Sequence, residues 1–300
     1  MRCVYCRPGF HRNTADDLLS PRELETIVRR LVEEHGVCKV RLTGGDPTAR
    51  ADLEEIIGRI ARIKGIDDLA MTTNGLSLAV RAQAYADAGL ARINVSLDSL
   101  DPDQFSRMTG VDGLSRVIQG IDAARDANLT PIKLNTVVLR GENEGQIAGL
   151  VRFAADRQAT IRFIELMPMG PLAAEWADRY LPAEKMRARL TETVTKWEPL
   201  EQGSDSAESF RATLDDGRSV TIGFITPMSC NFCSACNRIR LAADGSLYPC
   251  LMDRPSGSFL PAVRPRFDPE LFDNLLNEGI ARKALEHPAE GFVTMTVIGG

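Results

Sequence analysis

The chain has 300 residues, of which 44% are hydrophobic and 26% charged, as expected for a globular protein that buries a sizeable core. No apolar run approaches the roughly 18 residues of a membrane-spanning helix, and no signal segment opens the sequence, so we expect a cytoplasmic protein without membrane contact. The net charge of −5 offers no basic footprint for a nucleic acid, and an anionic ligand would need a local cluster of cations.

The first motif is the pair Cys3 and Cys6, part of a set of seven cysteines. An odd number of cysteines at CxxC spacings, in a chain without a secretion signal, argues against a disulfide framework and favours metal or iron–sulfur ligation. Two cysteines provide only half a ligand set, so this pair is weak evidence when it is taken alone.

Strand-like and helix-like segments alternate over the first two-thirds of the chain, which predicts a parallel sheet, either open or closed into a barrel. Predicted strands span 37–44, 68–74, 91–98, 131–139 and 160–167, and predicted helices span 20–35, 51–64, 77–89, 114–127 and 143–157. The first helix has the clearest start, because Ser20, Pro21 and Glu23 match an N-cap, a first-turn proline and a capping-box partner.

Several predicted strands carry polar side chains at every second position, and residues two apart in a strand share a face. These pairs are Lys39 and Arg41, Asn94 and Ser96, and Lys133 and Asn135. A parallel strand covered by helices on both faces would be a nearly continuous apolar run instead. We therefore predict a polar lumen that meets an anion, and the alternative is a set of strand-end charges paired in solvent.

Two glycine-containing turns follow predicted strands. LTGGDP at 42–47 and TTNG at 72–75 both lie at the carboxyl end of a strand, where barrel enzymes build their active sites. Glycines at such positions allow a ligand to approach the backbone closely. The alternative for the first turn is a plain strand-to-helix connection in which Asp46 caps the next helix.

The pattern changes after residue 168. Residues 199–218 are polar and turn-rich, which predicts a loop or an exposed hairpin, and they are followed by a predicted apolar strand at 219–226 and a predicted helix at 269–286. We expect a first domain at 1–218 and a C-terminal region at 219–300.

The densest motif is CNFCSACNRIRLAADGSLYPC at 230–250, which holds four cysteines. They are Cys230, Cys233, Cys236 and Cys250. Their spacing is typical of a metal site, because thiolates suit both zinc and iron–sulfur clusters, and on spacing alone zinc, a cluster and unligated thiols all remain open. Arg238 and Arg240 favour a cluster that meets an anionic substrate, since a structural zinc ion does not need them.

Several motifs then occur in one order along the chain: RCVYC, RLTGGDP, TTNG, INVSLDSLD, KLNTVVLRG, RFIELMP, FCSACNRIRL with DGSLYPCL, and a terminal IGG. Together they resemble the MoaA-type GTP 3′,8-cyclases, radical SAM enzymes that begin molybdenum cofactor biosynthesis, over essentially the whole chain. The resemblance implies an α/β fold, namely an incomplete TIM-like (βα)6 barrel of the radical SAM type with a C-terminal iron–sulfur region. It also implies two [4Fe–4S] clusters and S-adenosylmethionine (SAM) as cofactors.

The resemblance further implies a reaction and partners. GTP would become (8S)-3′,8-cyclo-7,8-dihydroguanosine 5′-triphosphate, because a radical from reductive cleavage of SAM takes the hydrogen from C3′ and the carbon radical attacks C8 of the guanine. A cyclic pyranopterin monophosphate synthase would act next, a flavodoxin or ferredoxin would supply electrons, and a homodimer is one arrangement that the resemblance allows. The cofactors carry this chemistry, while the protein positions the reacting groups and excludes water.

The resemblance assigns four groups of side chains. Ligands of the SAM cluster match Cys3 and Cys6, and ligands of the second cluster match Cys233, Cys236 and Cys250. Contacts to SAM match Tyr5, Gly45, Asp46, Ser96 and Met167. Contacts to GTP match Lys39, Arg41, Thr72, Lys133 and Arg162, with Arg238 and Arg240 lying over the substrate as catalytic residues. The Gly299-Gly300 tail resembles the family's tail, which reaches into the active site.

The chain departs from this pattern at its start. Cys3 and Cys6 match the last two cysteines of CxxxCxxC, and the first would fall two residues before Met1. The first barrel strand and an arm with a GTP-binding arginine would be missing too, which leaves five of six strands. The possible explanations are a misassigned start, a truncation and a degenerate copy, and we favour a misassigned start.

Two further departures concern single residues. Asp46 stands where the family has glutamate. Cys230 is an extra thiol, and we predict that it is not a ligand when GTP is bound, because a fourth cysteine would close the iron that holds guanine.

Two other functions stay open on the sequence. A different radical SAM enzyme with an auxiliary cluster, such as a peptide-modifying one, would not need so many phosphate-binding cations. A non-catalytic homologue would hold nucleotide or zinc through the C-terminal cysteines, and it would bind GTP without cleaving SAM.

Overall fold

The computed structural model describes residues 1–6, 17–201, 205–230 and 233–283. The strands are β1 (Lys39–Leu42), β2 (Asp68–Thr73), β3 (Arg92–Ser96), β4 (Lys133–Val138), β5 (Thr160–Glu165), β6 (Val194–Pro199), β7 (Ala207–Leu214), β8 (Ser219–Ile225), β9 (Arg240–Leu241), β10 (Ser246–Tyr248) and β11 (Gly257–Ser258). The α-helices are α1 (Pro21–His35), α2 (Leu53–Ala61), α3 (Leu78–Asp87), α4 (Pro102–Thr109), α5 (Leu114–Asp126), α6 (Ile147–Asp156), α7 (Trp176–Arg179), α8 (Ala183–Ala188), α9 (Leu260–Val263) and α10 (Pro269–Ala281).

The predicted start of the first helix is confirmed in α1. The Ser20 hydroxyl accepts a hydrogen bond from the backbone N–H of Glu23, and the Glu23 carboxylate accepts one from the backbone N–H of Ser20. Pro21 occupies the first helical position, and Gly36 ends the helix with a φ of 67°. The capping box thus satisfies backbone donors that a helix start leaves without partners.

The main sheet has eight strands in the order β1-β2-β3-β4-β5-β8-β7-β6. The five predicted strands of the alternating region are all present and pair in parallel, and β8 joins β5 as a further parallel strand. Sequential parallel strands joined by helices form the partial TIM-like barrel of the predicted α/β fold. The sequence predicted β8 as a strand but not its place in this sheet.

The stretch 199–218, predicted as a loop or an exposed hairpin, contains β7 (Ala207–Leu214), which extends the main sheet. Strand β7 pairs antiparallel with β8 on one side and with β6 on the other. The predicted domain boundary at 218 therefore falls between two paired strands of a single sheet.

The two faces of the main sheet differ in polarity. Met71, Ile93, Leu134 and Phe163 lie on the outer face and are buried in a core with the helices. The opposite, inner face carries the polar side chains that the strand pattern predicted. The apolar outer face therefore stabilises the fold by burial, while the inner face is polar.

The C-terminal region packs on α1 through a second apolar cluster, in which Ile27 of α1 meets Leu247, Phe259 and Phe272. At the rim of this contact, Arg264 Nε lies 2.6 Å from Glu23 Oε1. The region is thus fixed beside the amino-terminal helix. Among the helices that the structure describes, none is long and apolar enough to cross a membrane.

Candidate active site

Hydrogen-bond register aligns the inner-face side chains in rows across the sheet. Thr72 of β2 lies opposite Asn94, which lies opposite Lys133 of β4. One step towards the carboxyl ends, Asn135 of β4 lies opposite Arg162 of β5. Register partners in a parallel sheet share a face, so residues far apart in sequence line one surface.

The predicted nucleotide cations lie within electrostatic range of one another. Burial and the charge of Arg41 lower the pKa of Arg162 to about 10, and burial and the charge of Arg162 lower the pKa of Lys133. Burial likewise lowers the pKa of Arg240, with further contributions from Arg238 and Arg41. The structure therefore brings strand cations and C-terminal arginines into one cluster, as a triphosphate site requires.

Arg162 is the most deeply set of these cations, with 2% of its surface exposed. Its Nε donates to Asn135 Oδ1 at 2.9 Å. Gly223 of β8 makes room for the side chain, because an added Cβ there would lie 3.1 Å from Arg162 Cγ. The Nη1 atom of Arg162 makes no hydrogen bond within the described part of the chain, although Asp205 Oδ1 lies 3.6 Å away.

Two charged groups of this surface were missed by the sequence analysis. Arg92 of β3 forms a bidentate pair with Asp68 of β2, with Nε–Oδ1 and Nη2–Oδ2 distances of 2.7 and 2.5 Å. Arg92 lies two residues before Asn94 in β3 and therefore on the same face, so this spacing could have identified it from the sequence. Asp205, just before β7, is paired with Lys133, and no sequence signal marked it within a polar, turn-rich stretch.

The amino-terminal cysteines lie at the carboxyl ends of β4 and β5. Tyr5 is buried with Leu139 and Leu166, and Cys3 and Cys6 pack against the same cluster. Gly170 permits this approach, because its φ is +69° and a Cβ there would lie 2.9 Å from the Tyr5 carbonyl oxygen. The loop also donates its Val4 N–H to the carbonyl of Met108 at 2.9 Å.

Asp98, which follows β3, holds this loop in place and was not identified from the sequence. The Tyr5 hydroxyl donates to Asp98 Oδ2 at 2.7 Å, and the Val137 N–H donates to Asp98 Oδ1 at 2.9 Å. Burial raises the pKa of Asp98 to about 6. Burial, followed by the charges of Asp98 and Cys6, raises the pKa of the Cys3 thiol to about 12, so these thiols would ionise readily only beside a bound cation.

The predicted SAM contacts also lie at the carboxyl ends of strands. Gly45 and Asp46 follow β1, Ser96 ends β3, and Met167 follows β5. Asp46 Oδ1 accepts from the Thr48 N–H at 3.0 Å, so the carboxylate caps the short 3-10 helix Pro47–Ala49. The predicted helix that Asp46 would have capped in the alternative interpretation begins later, at Leu53. Asp46 Oδ2 also accepts from the Asn74 N–H at 2.7 Å, which joins the GGDP and TTNG turns.

The C-terminal cysteines lie beside cations. The Lys283 ammonium is 3.4 Å from Cys236 Sγ and donates to the carbonyl of Arg238 at 2.5 Å. Burial would raise the pKa of the Cys236 thiol, but hydrogen bonds from Arg238 and the charges of Arg238 and Lys283 lower it to about 7. The charges of Cys236 and Cys250 also act on Arg240, so the motif does place thiols and arginines together.

The cysteines of the C-terminal motif offer thiolates, which suit an iron–sulfur cluster. Within residues 1–6, 17–201, 205–230 and 233–283, no three His, Cys, Asp or Glu side chains converge closely enough to hold one metal ion. Cys230 is exposed, and the Gly299-Gly300 tail lies outside the described residues.

Glu165, at the end of β5, fixes the segment that leads to the C-terminal cysteines. Its Oε2 accepts from the N–H groups of Met228 and Ser229 at 3.0 and 2.9 Å. Its Oε1 accepts from the Ser229 hydroxyl at 2.5 Å and from the Ala183 N–H at 2.9 Å. Glu165 belongs to the RFIELMP motif, but its contacts with Met228 and Ser229 join segments more than 60 residues apart and were not predicted.

Comparison with known proteins identifies the family of the chain. The Radical SAM superfamily profile matches residues 1–154, and the Molybdenum Cofactor Synthesis C profile matches residues 159–289. The chain is 40% identical over its whole length to a GTP 3′,8-cyclase of Pelotomaculum thermopropionicum, of which 94% is covered. It is also 40% identical to the GTP 3′,8-cyclase of Pseudomonas putida W619, with 96% of this chain and 86% of that protein covered.

A solved structure gives the same fold. The chain superposes on HydG, a maturase of the [FeFe]-hydrogenase, with a TM-score of 0.50 and 13% identity, over 63% of this chain and 45% of HydG. That likeness concerns the fold alone. With a superfamily profile over half of its length and relatives at 40% identity over nearly all of it, the chain belongs to the radical SAM superfamily and, within it, to the GTP 3′,8-cyclase family.

Proposed function

We propose that the chain converts GTP to (8S)-3′,8-cyclo-7,8-dihydroguanosine 5′-triphosphate, the first step of molybdenum cofactor biosynthesis. Membership of the radical SAM superfamily brings an iron–sulfur cluster and SAM as cofactors. The observation that carries the proposal is the shared cluster of cations, in which Arg41 and Arg162 of the sheet act electrostatically on each other and Arg41 acts on Arg240 of the cysteine motif. A peptide substrate would not need this concentration of phosphate-binding charge.

The sheet cations would bind the triphosphate. Arg41, Lys133 and Arg162 present guanidinium and ammonium donors on the inner face, and Arg162 keeps one nitrogen available for a further acceptor. Lys39 lies two residues before Arg41 on the same face of β1, and Thr72 lies on that face with Asn94 between it and Lys133. The partial burial of Lys133 and the nearly complete burial of Arg162 strengthen their interaction with phosphate relative to the same contacts in water.

The C-terminal motif would hold the base end of GTP. Cys233, Cys236 and Cys250 would bind a second [4Fe–4S] cluster and leave one iron open for guanine, with Cys230 outside the ligand set. Arg238 and Arg240 would stabilise negative charge on the substrate, because fixed cations near a developing charge cost no reorganisation during the reaction.

The amino-terminal cysteines would bind the cluster that handles SAM. When it is bound, that group supplies the electron for cleavage of SAM and so the radical that takes hydrogen from C3′ of GTP. Tyr5, held by Asp98, and the turn residues Gly45 and Asp46 would orient SAM, with Ser96 and Met167 at the neighbouring strand ends. The described loop offers two cysteines to this cluster, so its assembly is itself a point to test.

The proposal also names partners by family. A flavodoxin or ferredoxin would deliver the electrons, and a cyclic pyranopterin monophosphate synthase would take up the cyclic nucleotide. A homodimer remains a prediction.

Two measurements on anaerobically reconstituted protein test the proposal. Iron and acid-labile sulfide should reach about eight of each per chain for two clusters, whereas about four would mean one. In the presence of a reductant, 5′-deoxyadenosine should form together with the cyclic product. Arg240→Ala should abolish the product, while Arg62→Ala, at an exposed arginine that follows α2, should not. GTP binding without cleavage of SAM would contradict the proposal and indicate a nucleotide-binding homologue.

A further inference from the structure

A carboxylate lies inside the cation cluster. Asp205 Oδ2 accepts from Lys133 Nζ at 2.8 Å, and Asp205 Oδ1 lies 3.6 Å from Arg162 Nη1. Its position is fixed by the chain, since Oδ1 also accepts from the N–H of Ser206 at 2.8 Å. Asp205 therefore interacts with two of the cations, Lys133 and Arg162, to which a phosphate group would bind.

The surroundings of Asp205 are strongly positive. Burial would raise the pKa of the Asp205 carboxyl, but the hydrogen bond and charge of Lys133 and the charge of Arg162 hold it well below its usual range. Arg41 and Arg92 add positive charge at Arg162, and Asp68 on the same face is already engaged by Arg92. Asp205 is thus the carboxylate that neutralises Lys133 and Arg162 in this part of the described structure.

The pairing leaves the cations incompletely satisfied. Lys133 has three N–H donors, and the Nη1 of Arg162 has no hydrogen bond although the side chain is almost completely buried. Buried donors without acceptors are costly. We would expect this geometry in a site that binds an anion larger than a carboxylate, with the Asp205 carboxylate taking only part of the place of that anion.

Phosphate and carboxylate cannot share these cations without cost. A phosphate oxygen that approached Lys133 and Arg162 would meet the negative charge of Asp205 at close range, and like charges in a partly buried site repel strongly. A phosphate-bearing ligand must therefore displace the carboxylate from its partners. A ligand that lacks phosphate has no such requirement.

We propose that Asp205 is an internal competitor for the phosphate subsite and lowers its affinity for every ligand that places a phosphate on Lys133 and Arg162. The inference deepens the proposed function and rests on it for the identity of the ligand. The apparent affinity equals the intrinsic affinity multiplied by the fraction of molecules in which the carboxylate has released the two cations. Asp205 would thereby keep GTP exchangeable in a site that is otherwise rich in phosphate donors.

The test compares three proteins: the wild type, Asp205→Asn and the control Glu208→Gln. Asparagine keeps an oxygen for the Ser206 N–H but removes the charge. Glu208 is exposed, and it is the register partner of Phe224, on the opposite face of the hairpin from the cation cluster. The control thus removes an equal charge three residues further along the chain without entering the site. Calorimetric titrations use GTP, inorganic triphosphate and guanosine as ligands.

We expect Asp205→Asn to bind GTP and inorganic triphosphate on the order of tenfold more tightly than the wild type, a change that corresponds to about 1.4 kcal/mol. Guanosine binding should be the same in all three proteins, and Glu208→Gln should match the wild type for every ligand. Unchanged or weaker triphosphate binding by Asp205→Asn would overturn the inference, because Asp205 would then only order Lys133 and Arg162. Triphosphate binding that tightens in a protein that binds no GTP would support the inference while refuting the proposed function.

Discussion

Glu165→Gln would test how the end of β5 positions the C-terminal cysteines. The Glu165 side chain is 1% exposed and accepts four hydrogen bonds, of which three come from Met228 and Ser229 and one from the Ala183 N–H. Glutamine has the same shape but only one oxygen, and its amide group adds two donors. Some of the four donors must therefore lose their acceptor.

The contacts of Glu165 allow the loss in the free energy of unfolding of Glu165→Gln to be estimated. The Ser229 hydroxyl can rotate and accept, so the cheapest arrangement places the new amide group on the side of Ser229 Oγ and the Ala183 N–H. The Ala183 N–H then loses its partner, and the two remaining backbone bonds lose their charged acceptor. A bond to a charged group contributes about 1.5–3 kcal/mol and a neutral one about 0.5–1.5 kcal/mol, so we expect a loss of about 3 kcal/mol in the free energy of unfolding.

Chemical denaturation of the wild type, Glu165→Gln and the exposed-charge control Glu208→Gln measures this loss. Hydrogen exchange provides the second readout, because the Met228 and Ser229 amides should lose protection in Glu165→Gln and keep it in the control. A destabilisation below about 1 kcal/mol, within the range of ordinary surface changes, together with unchanged protection of the two amides, would refute the claim that Glu165 holds this segment.

Two further predictions concern charges outside the sheet. Lys283→Met removes a cation that lowers the pKa of the Cys236 thiol, so the fraction of Cys236 thiolate at pH 7 should fall. Alkylation of Cys236 in cluster-free protein, followed by mass spectrometry, should therefore slow roughly twofold. An equal rate of alkylation in the two proteins would exclude this role of Lys283. The hydrogen bond from Arg264, followed by those from the capping box, lowers the pKa of Glu23 from 4.5 to about 2. Glu23 therefore stabilises the fold above pH 4.5 and loses this effect as the pH falls towards 2. Glu23→Gln should cost about 1–2 kcal/mol at pH 7, after allowance for partial exposure, and the difference from wild type in denaturation midpoints should shrink in that acidic window; a pH-independent difference would contradict the assignment.

The sequence predicted the parts of the fold that depend on local patterns. The capping box at Ser20 and Glu23 lies within four residues, and alternation along a strand decides which side chains share a face, so the spacing of Lys133 and Asn135 was enough to assign them to one surface. The sixth parallel strand could not be placed in this way, because the pairing of β8 with β5 is decided by packing between segments about 60 residues apart.

The same reason explains what the sequence missed in the site. Tyr5 and Asp98 are 93 residues apart, and Lys133 and Asp205 are 72 apart. An acidic residue in a polar stretch, such as Asp205, is normally a solvated side chain, and only the path of the chain into β7 brings it to the cations. Arg92 is different, because its spacing of two residues from Asn94 is present in the sequence. Its position on the inner face could therefore have been inferred.

The arrangement of the site has a consequence for stability. The cations that we propose to bind phosphate come from β1, β4 and β5. Arg238 and Arg240 come from the region that is fixed to α1 by the contact between Glu23 and Arg264 and to β5 by Glu165. A ligand that contacts both groups binds only when the C-terminal region is docked, and a ligand specific for the docked state stabilises it by mass action. The sheet cations and the C-terminal arginines repel one another, and Asp205 offsets only part of this repulsion, which the bound nucleotide would reduce further. The nucleotide would therefore complete both the charge balance of the sheet face and the attachment of the cysteine-bearing region.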